Sequence, residues 1–376
     1  MRAGDFVTAF DRIVDNIDQV VQGKPDQVEL AVTCMLAGGH LLIEDLPGVG
    51  KTLLARCLAA SVDAEMKRIQ CTPDLLPSDI TGTDVYLPGT GGQEFRPGPV
   101  FANVVLADEI NRATPRAQSA LLEAMEERRV TVGGMTRPLP DVFLVVATQN
   151  PVDMDGTYPL PEAQLDRFLM RIRMGYPDFD AEKRVLAAKV DGGSSSATDV
   201  PVSEGLGRGT RGGKKQDPRP VPAVTTAAQV LGLIELARRT RVSDAVYAYL
   251  LQVTRMTRAL VARPAAQLAR SSVGAGQGQR GRRDGTPGRD AVAPPPALTG
   301  CLALGASPRA SVGLLYAAQV LARRSGRDHV WPDDVKRLAV PVLSHRLSLS
   351  SAAVLAGHRA EDIVETVLAA VAVPRG

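Results

Sequence analysis

The sequence predicts an α/β protein: a parallel sheet flanked by helices, followed by a small all-α domain. Three observations carry this. Short apolar runs alternate with helical patterns through about the first 190 residues. A glycine-rich turn, "EDLPGVGKT" (44–52), joins one such run to a helix. From residue 226 onward the apolar spacing becomes helical.

The strands come first. "HLLIE" (40–44), "NVVLAD" (103–108) and "VFLVVAT" (142–148) are short and apolar on both faces. Runs of that kind suit central strands of a parallel sheet covered on both sides. Between them, "QVELAVTCMLAG" (27–38), "KTLLARCLAASV" (51–62) and "PRAQSALLEAMEER" (115–128) have helical spacing. Strand and helix in alternation imply α/β layers. "RVTVGGMTRPLP" (129–140) reads as a hairpin turning at Gly133-Gly134. "GTDVYLPGTGGQEFRPGPVF" (82–101) reads as a polar, turn-rich loop.

Helices are expected at 226–239, 243–260, 308–323 and 332–340, and again over 349–372. Trp331-Pro332-Asp333-Asp334 has the Pro and acids of a helix start. Two stretches, 191–222 and 264–300, are rich in Gly, Ser, Pro and Arg and bury too little apolar surface to order themselves. The expected organisation is an α/β core over 1–180, a linker with a low-complexity insert over 181–225, a helical domain over 226–350 interrupted at 264–300, and a helical tail over 351–376.

Composition narrows the function. The chain has 376 residues, enough for more than one core. Aromatics make up only 4%, so the cores must rely on Leu, Val, Ile and Ala. Net charge is +3, from 44 basic and 41 acidic residues, a balance that makes no case for a nucleic-acid or membrane surface. The cysteines, Cys34, Cys57, Cys71 and Cys301, form no C-x-x-C pair; Cys34 and Cys57 read as reduced structural thiols. The start, "MRAGDFVTAFDRI", is too polar for a signal peptide, and no apolar run approaches a membrane span. A cytoplasmic protein is expected.

The candidate chemistry sits at strand ends. "EDLPGVGKT" nearly matches the phosphate-binding pattern G-x-x-x-x-G-K-[ST], but Asp45 stands where the first Gly belongs. A strand leads in and a helix leads out, which is the setting the motif needs. Pro47, Gly48, Val49, Gly50, Lys51, Thr52 and Leu53 are the expected nucleotide contacts. Gly48 and Gly50 let backbone N–H groups approach phosphate, beside the positive end of the helix. Lys51 would reach the β- and γ-phosphates of ATP, and Thr52 would hold Mg²⁺. A carboxylate facing the phosphates would repel them, so Asp45 must point elsewhere. Asp108 and Glu109 end the second strand. In a parallel sheet ligands sit at the carboxyl ends of strands, which suits Asp108 to Mg²⁺ and Glu109 to polarising the attacking water. The third strand ends in Thr148, Gln149 and Asn150, where a neutral amide can hold that water in line. Ser307 and Pro308 begin a helix and leave Arg309 in its first turn, where a cation opposes the macrodipole. An anion nearby would remove the conflict: a γ-phosphate, or an acid of a neighbouring helix.

These segments, together with "TPDLLPSDITGT", "FRPGPVFANVVLADEINRA", "QSALLEAMEERRVTV", "ATQNP", "LPEAQLDRFLMRI", "GASPRAS" and "DHVWPDDVKRLAVPVLSHRL", resemble the MoxR-type AAA+ ATPases over most of 20–180 and 226–350. The resemblance implies a P-loop AAA+ core with a helical lid, assembled as a hexamer. It assigns sensor 1 to Asn150, the arginine finger to Arg167 and sensor 2 to Arg309. It also implies a chaperone-like machine that remodels partner proteins, often ones bearing a von Willebrand factor A domain. The same fold leaves a magnesium-chelatase-like subunit or a nucleic-acid motor as alternatives.

Overall fold

The structure, a computed structural model, describes residues 3–45, 48–87, 92–150, 156–176, 179, 180, 182, 183, 220–261 and 295–374. The chain forms two compact units: Met1–Leu160 with Ile172–Leu236, and Pro161–Arg171 with Ala237–Gly376.

In the first unit, helix α1 (Ala3–Asp18) buries Phe6, Phe10, Ile13, Val14 and Ile17, one stripe at helical spacing. The sequence reading places no helix here; the polar residues between the buried ones hide the stripe. Then come α2 (Pro25–Leu36), β1 (Leu41–Glu44), α3 (Lys51–Ser61), β2 (Met66–Gln70) and α4 (Pro77–Thr81). The segment read as a loop is a hairpin, β3 (Gly82–Tyr86) with β4 (Gln93–Pro97). β5 (Val104–Asp108), α5 (Pro115–Glu127), the predicted hairpin β6 (Arg129–Val132) and β7 (Met135–Pro138), and β8 (Leu144–Gln149) follow. The chain then enters the second unit with α6 (Glu162–Leu165) and passes back to the first within β9 (Met170–Ile172).

The main sheet has the order β2-β5-β8-β1-β9. Its β1–β8, β2–β5 and β5–β8 pairs are parallel, as the doubly apolar runs required. β5 is buried along its whole length. The register sets Gln70 beside Asp108, Ala107 beside Ala147, and Glu44 beside Gln149. The carboxyl ends of β1, β5 and β8 therefore open on one edge. Beyond the undescribed stretch the chain returns to this unit: the backbone N–H groups of Val224 and Thr225 donate to Ser61 O at 2.9 and 3.1 Å, and α7 (Ala227–Arg238) follows. The segments expected to be flexible, 191–222 and 264–300, lie outside the described residues except for 220–222 and 295–300.

The second unit is mainly helical: α8 (Asp244–Ala259), α9 (Pro308–Arg324), α10 (Pro332–Leu343), α11 (Ser351–Leu355) and α12 (Ala360–Ala370). Ser243 and Ser307 cap α8 and α9 by accepting from Val246 N and Ala310 N, each at 3.3 Å. At α10 the Asp334 carboxylate accepts from Trp331 N at 2.8 Å and pairs with Arg327 at 2.6 Å. This helix runs past Pro341, where the sequence suggested it would end; the proline removes one ladder bond, and the helix stops at Leu343. The helix expected over 349–372 is two, because Gly357 takes φ 79° and ends the first with a His358 N to Ala353 O bond of 3.0 Å. β10 (Leu302–Leu304) and β11 (Ser348–Leu349) form a small antiparallel pair.

Candidate active site

The turn after β1 begins with Asp45, whose N–H donates to Gln149 O at 3.1 Å and so extends the strand pairing by one residue. Leu46 and Pro47 lie outside the described residues. Gly48 and Gly50 take φ values of 84° and 91°, conformations that cost other residues more. Gly50 is the N-cap of α3 and has no side chain to offer its first N–H groups; no acid stands in the first turn. That leaves backbone donors and the positive end of an 11-residue helix ready for an anion. Lys51 is 9% exposed, and its Nζ donates to Asp45 O at 2.7 Å. Burial pushes its pKa down, against the opposing pull of Asp108, Asp45 and Glu109. Those carboxylates therefore lie close enough to act on the ammonium.

The Asp45 carboxylate accepts from Gly175 N, and Glu44 pairs with Arg173 at 3.1 Å. The acid in the glycine position is thus engaged by the chain that follows β9. Sequence reasoning required it to point away from phosphate; its partner could be found only from the fold.

Asp108 is 9% exposed at the end of β5. Thr148 Oγ1 donates to its Oδ1 at 2.6 Å, and Arg68 Nη2 donates to Oδ2 at 2.6 Å. The same threonine oxygen accepts from Glu109 N at 2.8 Å, so Thr148 ties the two acids to β8. Glu109 has a left-handed backbone, φ 57° and ψ 52°, which is uncommon for a non-glycine residue and concentrates at functional sites. Its carboxylate pairs with Arg112 at 2.9 Å and accepts from Gln70 Nε2 at 3.5 Å. Asn150 is buried, and its carbonyl accepts from Asn111 Nδ2 at 3.3 Å.

The first unit thus gathers Gly48, Val49, Gly50, Lys51, Thr52, Leu53, Asp108, Glu109 and Asn150 at the ends of β1, β5 and β8. Arg167 and Arg309 belong to the second unit. Arg167 follows α6, and Arg309 is exposed in the first turn of α9. Arg68, Arg112 and the bridging role of Thr148 were not foreseen. Arg68 reaches Asp108 only because β2 pairs with β5 across 40 residues, and no local signal announces such a pairing.

The donor set fits a magnesium nucleotide. A magnesium ion takes few protein oxygens and keeps several waters, and Thr52 and Asp108, whose carboxylate also accepts from Thr148 and Arg68, are the residues that would supply such a partial shell. Among the described residues there is no cluster of three or more His, Cys, Asp or Glu that could hold a metal ion. Among them, too, no helix is long and apolar enough to cross a membrane.

Comparison with known proteins gives one consistent picture. The family described as "ATPase family associated with various cellular activities (AAA)" matches residues 40–170, and "AAA lid domain" matches residues 298–367. The uncharacterized protein YeaC of Bacillus subtilis (strain 168) is 41% identical, over 96% of this chain and 94% of its own. The chaperone MoxR1 of Mycobacterium tuberculosis is 37% identical, over 98% of this chain and 83% of its own. A crystal structure from Cytophaga hutchinsonii, provisionally assigned as an ATPase, is 32% identical with a TM-score of 0.77, over 99% of this chain and 97% of that one.

Proposed function

The chain belongs to the MoxR-type AAA ATPase family, and from that premise we propose that it hydrolyses ATP with Mg²⁺ to remodel or activate partner proteins, working in the cytoplasm as a homo-hexamer. Its clients include proteins with a von Willebrand factor A domain. The chaperone name of the Mycobacterium tuberculosis relative supports a protein client.

In this reading the N–H groups from Gly48 to Leu53 and the N-terminus of α3 receive the phosphates. Lys51 exchanges the Asp45 carbonyl for β- and γ-phosphate oxygens. Thr52 and Asp108 would hold Mg²⁺, which when bound would neutralise charge on the phosphates. Glu109 accepts the proton of the attacking water, and Asn150 holds that water in line. Arg167 serves a neighbouring subunit's γ-phosphate, and Arg309 reports on the phosphate as sensor 2. Glu109 is held meanwhile by Arg112, in a pair 47% and 28% exposed, and so weakly enough to be released.

The observation that carries the reading is the threonine bridge. One hydroxyl, on Thr148, orders both the Asp108 carboxylate and the strained Glu109 backbone beside Lys51. Strain of this kind, of order 1–3 kcal/mol, persists where function requires it.

Glu109→Gln tests it. The amide keeps the shape and cannot serve as a base, so the variant should bind a fluorescent ATP analogue as the wild type does and release phosphate at least about 100-fold more slowly. Undiminished phosphate release would remove Glu109 from the chemistry.

A further inference from the structure

In the second unit, the segment carrying Arg167 is fastened to the start of α9, the helix that carries Arg309. The fastening is made by three side chains. Asp166 precedes Arg167, and the Ser307 hydroxyl lies 2.9 Å from each of its carboxylate oxygens. Arg346 Nε lies 3.2 Å from Asp166 Oδ1. Arg346 Nη2 also donates to the carbonyls of Asp166, at 3.2 Å, and Phe168, at 2.7 Å. One guanidinium therefore grips the main chain on both sides of Arg167. His345 stands beside it with Nε2 3.0 Å from the same Phe168 carbonyl.

Ser307 has a second task. Its oxygen accepts from Ala310 N and so caps α9 two residues before Arg309. One turn further, a methyl group on Gly313 would lie 2.8 Å from Leu169 Cδ1 and 3.3 Å from Arg346 Nη1. The absence of a side chain there lets the 166–169 segment and Arg346 pack directly on the helix.

Stability alone is a poor account of this arrangement. Arg346 is 5% exposed, and desolvating a guanidinium offsets much of what its ion pair contributes. Apolar side chains in place of such buried pairs are often as stable. They could not hold two carbonyls and a carboxylate in fixed positions.

We propose that Asp166, Ser307 and Arg346 are positioning residues that lock the main chain around Arg167 to the cap of α9, and that this fixed main chain sets Arg167. The proposal rests on the reading of Arg167 as an arginine finger. A displacement of about 1 Å at such a group costs up to roughly 100-fold in rate, so loosening the clamp should appear in turnover before it appears in binding.

The test uses the full-length oligomer and single-turnover ATP hydrolysis, which resolves residual rates. Asp166→Asn removes the charge facing Arg346; Ser307→Ala removes the hydroxyl; Ser307→Thr keeps it. Each is made alone and with Arg167→Ala, and melting is recorded for all. Asp166→Asn and Ser307→Ala should each slow hydrolysis by about tenfold or more. Affinity for a fluorescent ATP analogue should stay within about twofold. Ser307→Thr should retain the rate. In the Arg167→Ala background the same changes should add nothing, because they act through the residue already removed. If Asp166→Asn fails to fold, the Ser307 pair decides alone. Rates that multiply with an impaired Arg167→Ala, unchanged hydrolysis in both single variants, or a Ser307→Thr variant as slow as Ser307→Ala overturns the clamp and leaves the finger standing. A fully active Arg167→Ala overturns the finger and the clamp with it.

Discussion

Asp45 shows what a single side chain can settle. At a position where the phosphate-loop pattern calls for Gly, its carboxylate is bonded to Gly175 N while its carbonyl receives Lys51 Nζ at 2.7 Å. The backbone of Asp45 thus holds the lysine, and its side chain holds the following strand's exit. The two residues should separate cleanly on mutation. Lys51→Ala should abolish binding of a fluorescent ATP analogue, since Lys51 is the one basic residue within 48–53. Asp45→Gly should keep that affinity and lower stability in urea by about 1–3 kcal/mol, through the lost charge-assisted bond and the freer unfolded chain. Normal affinity in Lys51→Ala would sink the phosphate-loop assignment. A second residue, His40, carries a pH dependence. It is fully buried, accepts from Val145 N at 3.0 Å through Nδ1, and lies 3.3 Å from Met125 O through Nε2. Burial and the nearby Arg128 push its pKa down to about 3. Between that value and the ordinary imidazole range the unfolded chain binds the proton and the folded chain does not. Stability is therefore complete above about pH 6.5 and falls with pH toward 3, by up to about 1.4 kcal/mol per unit for one such group. Burial and Arg346 hold His345 low in the same way, so the two act together. Melting temperatures between pH 7.5 and 4.5 check this, and His40→Asn should flatten the profile; an unchanged slope would show that His40 takes its proton while folded.

At the scale of elements, the least legible part is the β3–β4 hairpin, and its backbone makes a sharp prediction. A Cβ on Gly98 would lie 2.2 Å from Ile80 O and 2.4 Å from Gly82 N, both main-chain atoms that cannot turn aside. Gly98→Ala should therefore cost at least about 2 kcal/mol in urea unfolding, as overpacking against fixed atoms does. A loss under about 0.5 kcal/mol, the scale of an ordinary surface change, would mean that the hairpin base is not closed in this way. The hairpin escaped sequence reading for a physical reason: what steadies it lies outside the hairpin, part of it remote in the chain. Phe95 packs on Phe101 at 5.6 Å, and the Arg137 guanidinium of β7 sits 3.8 Å above the Phe95 ring. Central strands, by contrast, announce themselves, because burial on both faces demands continuous apolar residues; "NVVLAD" and "VFLVVAT" became β5 and β8 within two residues at either end. The site divides in the same way. Lys51, Asp108, Glu109 and Asn150 were legible because a parallel sheet brings strand ends to one edge. Arg68 on Asp108 and Arg346 on the Asp166 segment were not, because each depends on a pairing between distant stretches of chain.

For the whole molecule, the open matter is which subunit Arg167 serves. Two acids near it in sequence would be the natural partners for a merely structural arginine. Asp166 carries Ser307 and Arg346, and Glu162 accepts from Ser348 Oγ at 2.8 Å. A carboxylate can take several donors, so these bonds do not decide the role of Arg167, and the decision falls to subunit mixing. A guanidinium suits a γ-phosphate because its planar fork donates to several oxygens and remains charged at every working pH. If Arg167 completes a neighbour's site, the defect of Arg167→Ala lies in the subunit that gives, and the defect of Lys51→Ala lies in the subunit that receives. Each variant alone should be nearly inactive, and Arg167→Ala should still bind ATP. Mixed in one oligomer, a Lys51→Ala subunit retains its arginine and an Arg167→Ala subunit retains its nucleotide. Wherever the first adjoins the second in the right order, one intact site forms, and hydrolysis should return to a fraction set by how often that order occurs. Phosphate release measured across mixing ratios should then pass through a maximum between two inactive ends. Mixed oligomers that form and stay silent at every ratio, or a monomer with full activity, would place Arg167 in its own subunit's service.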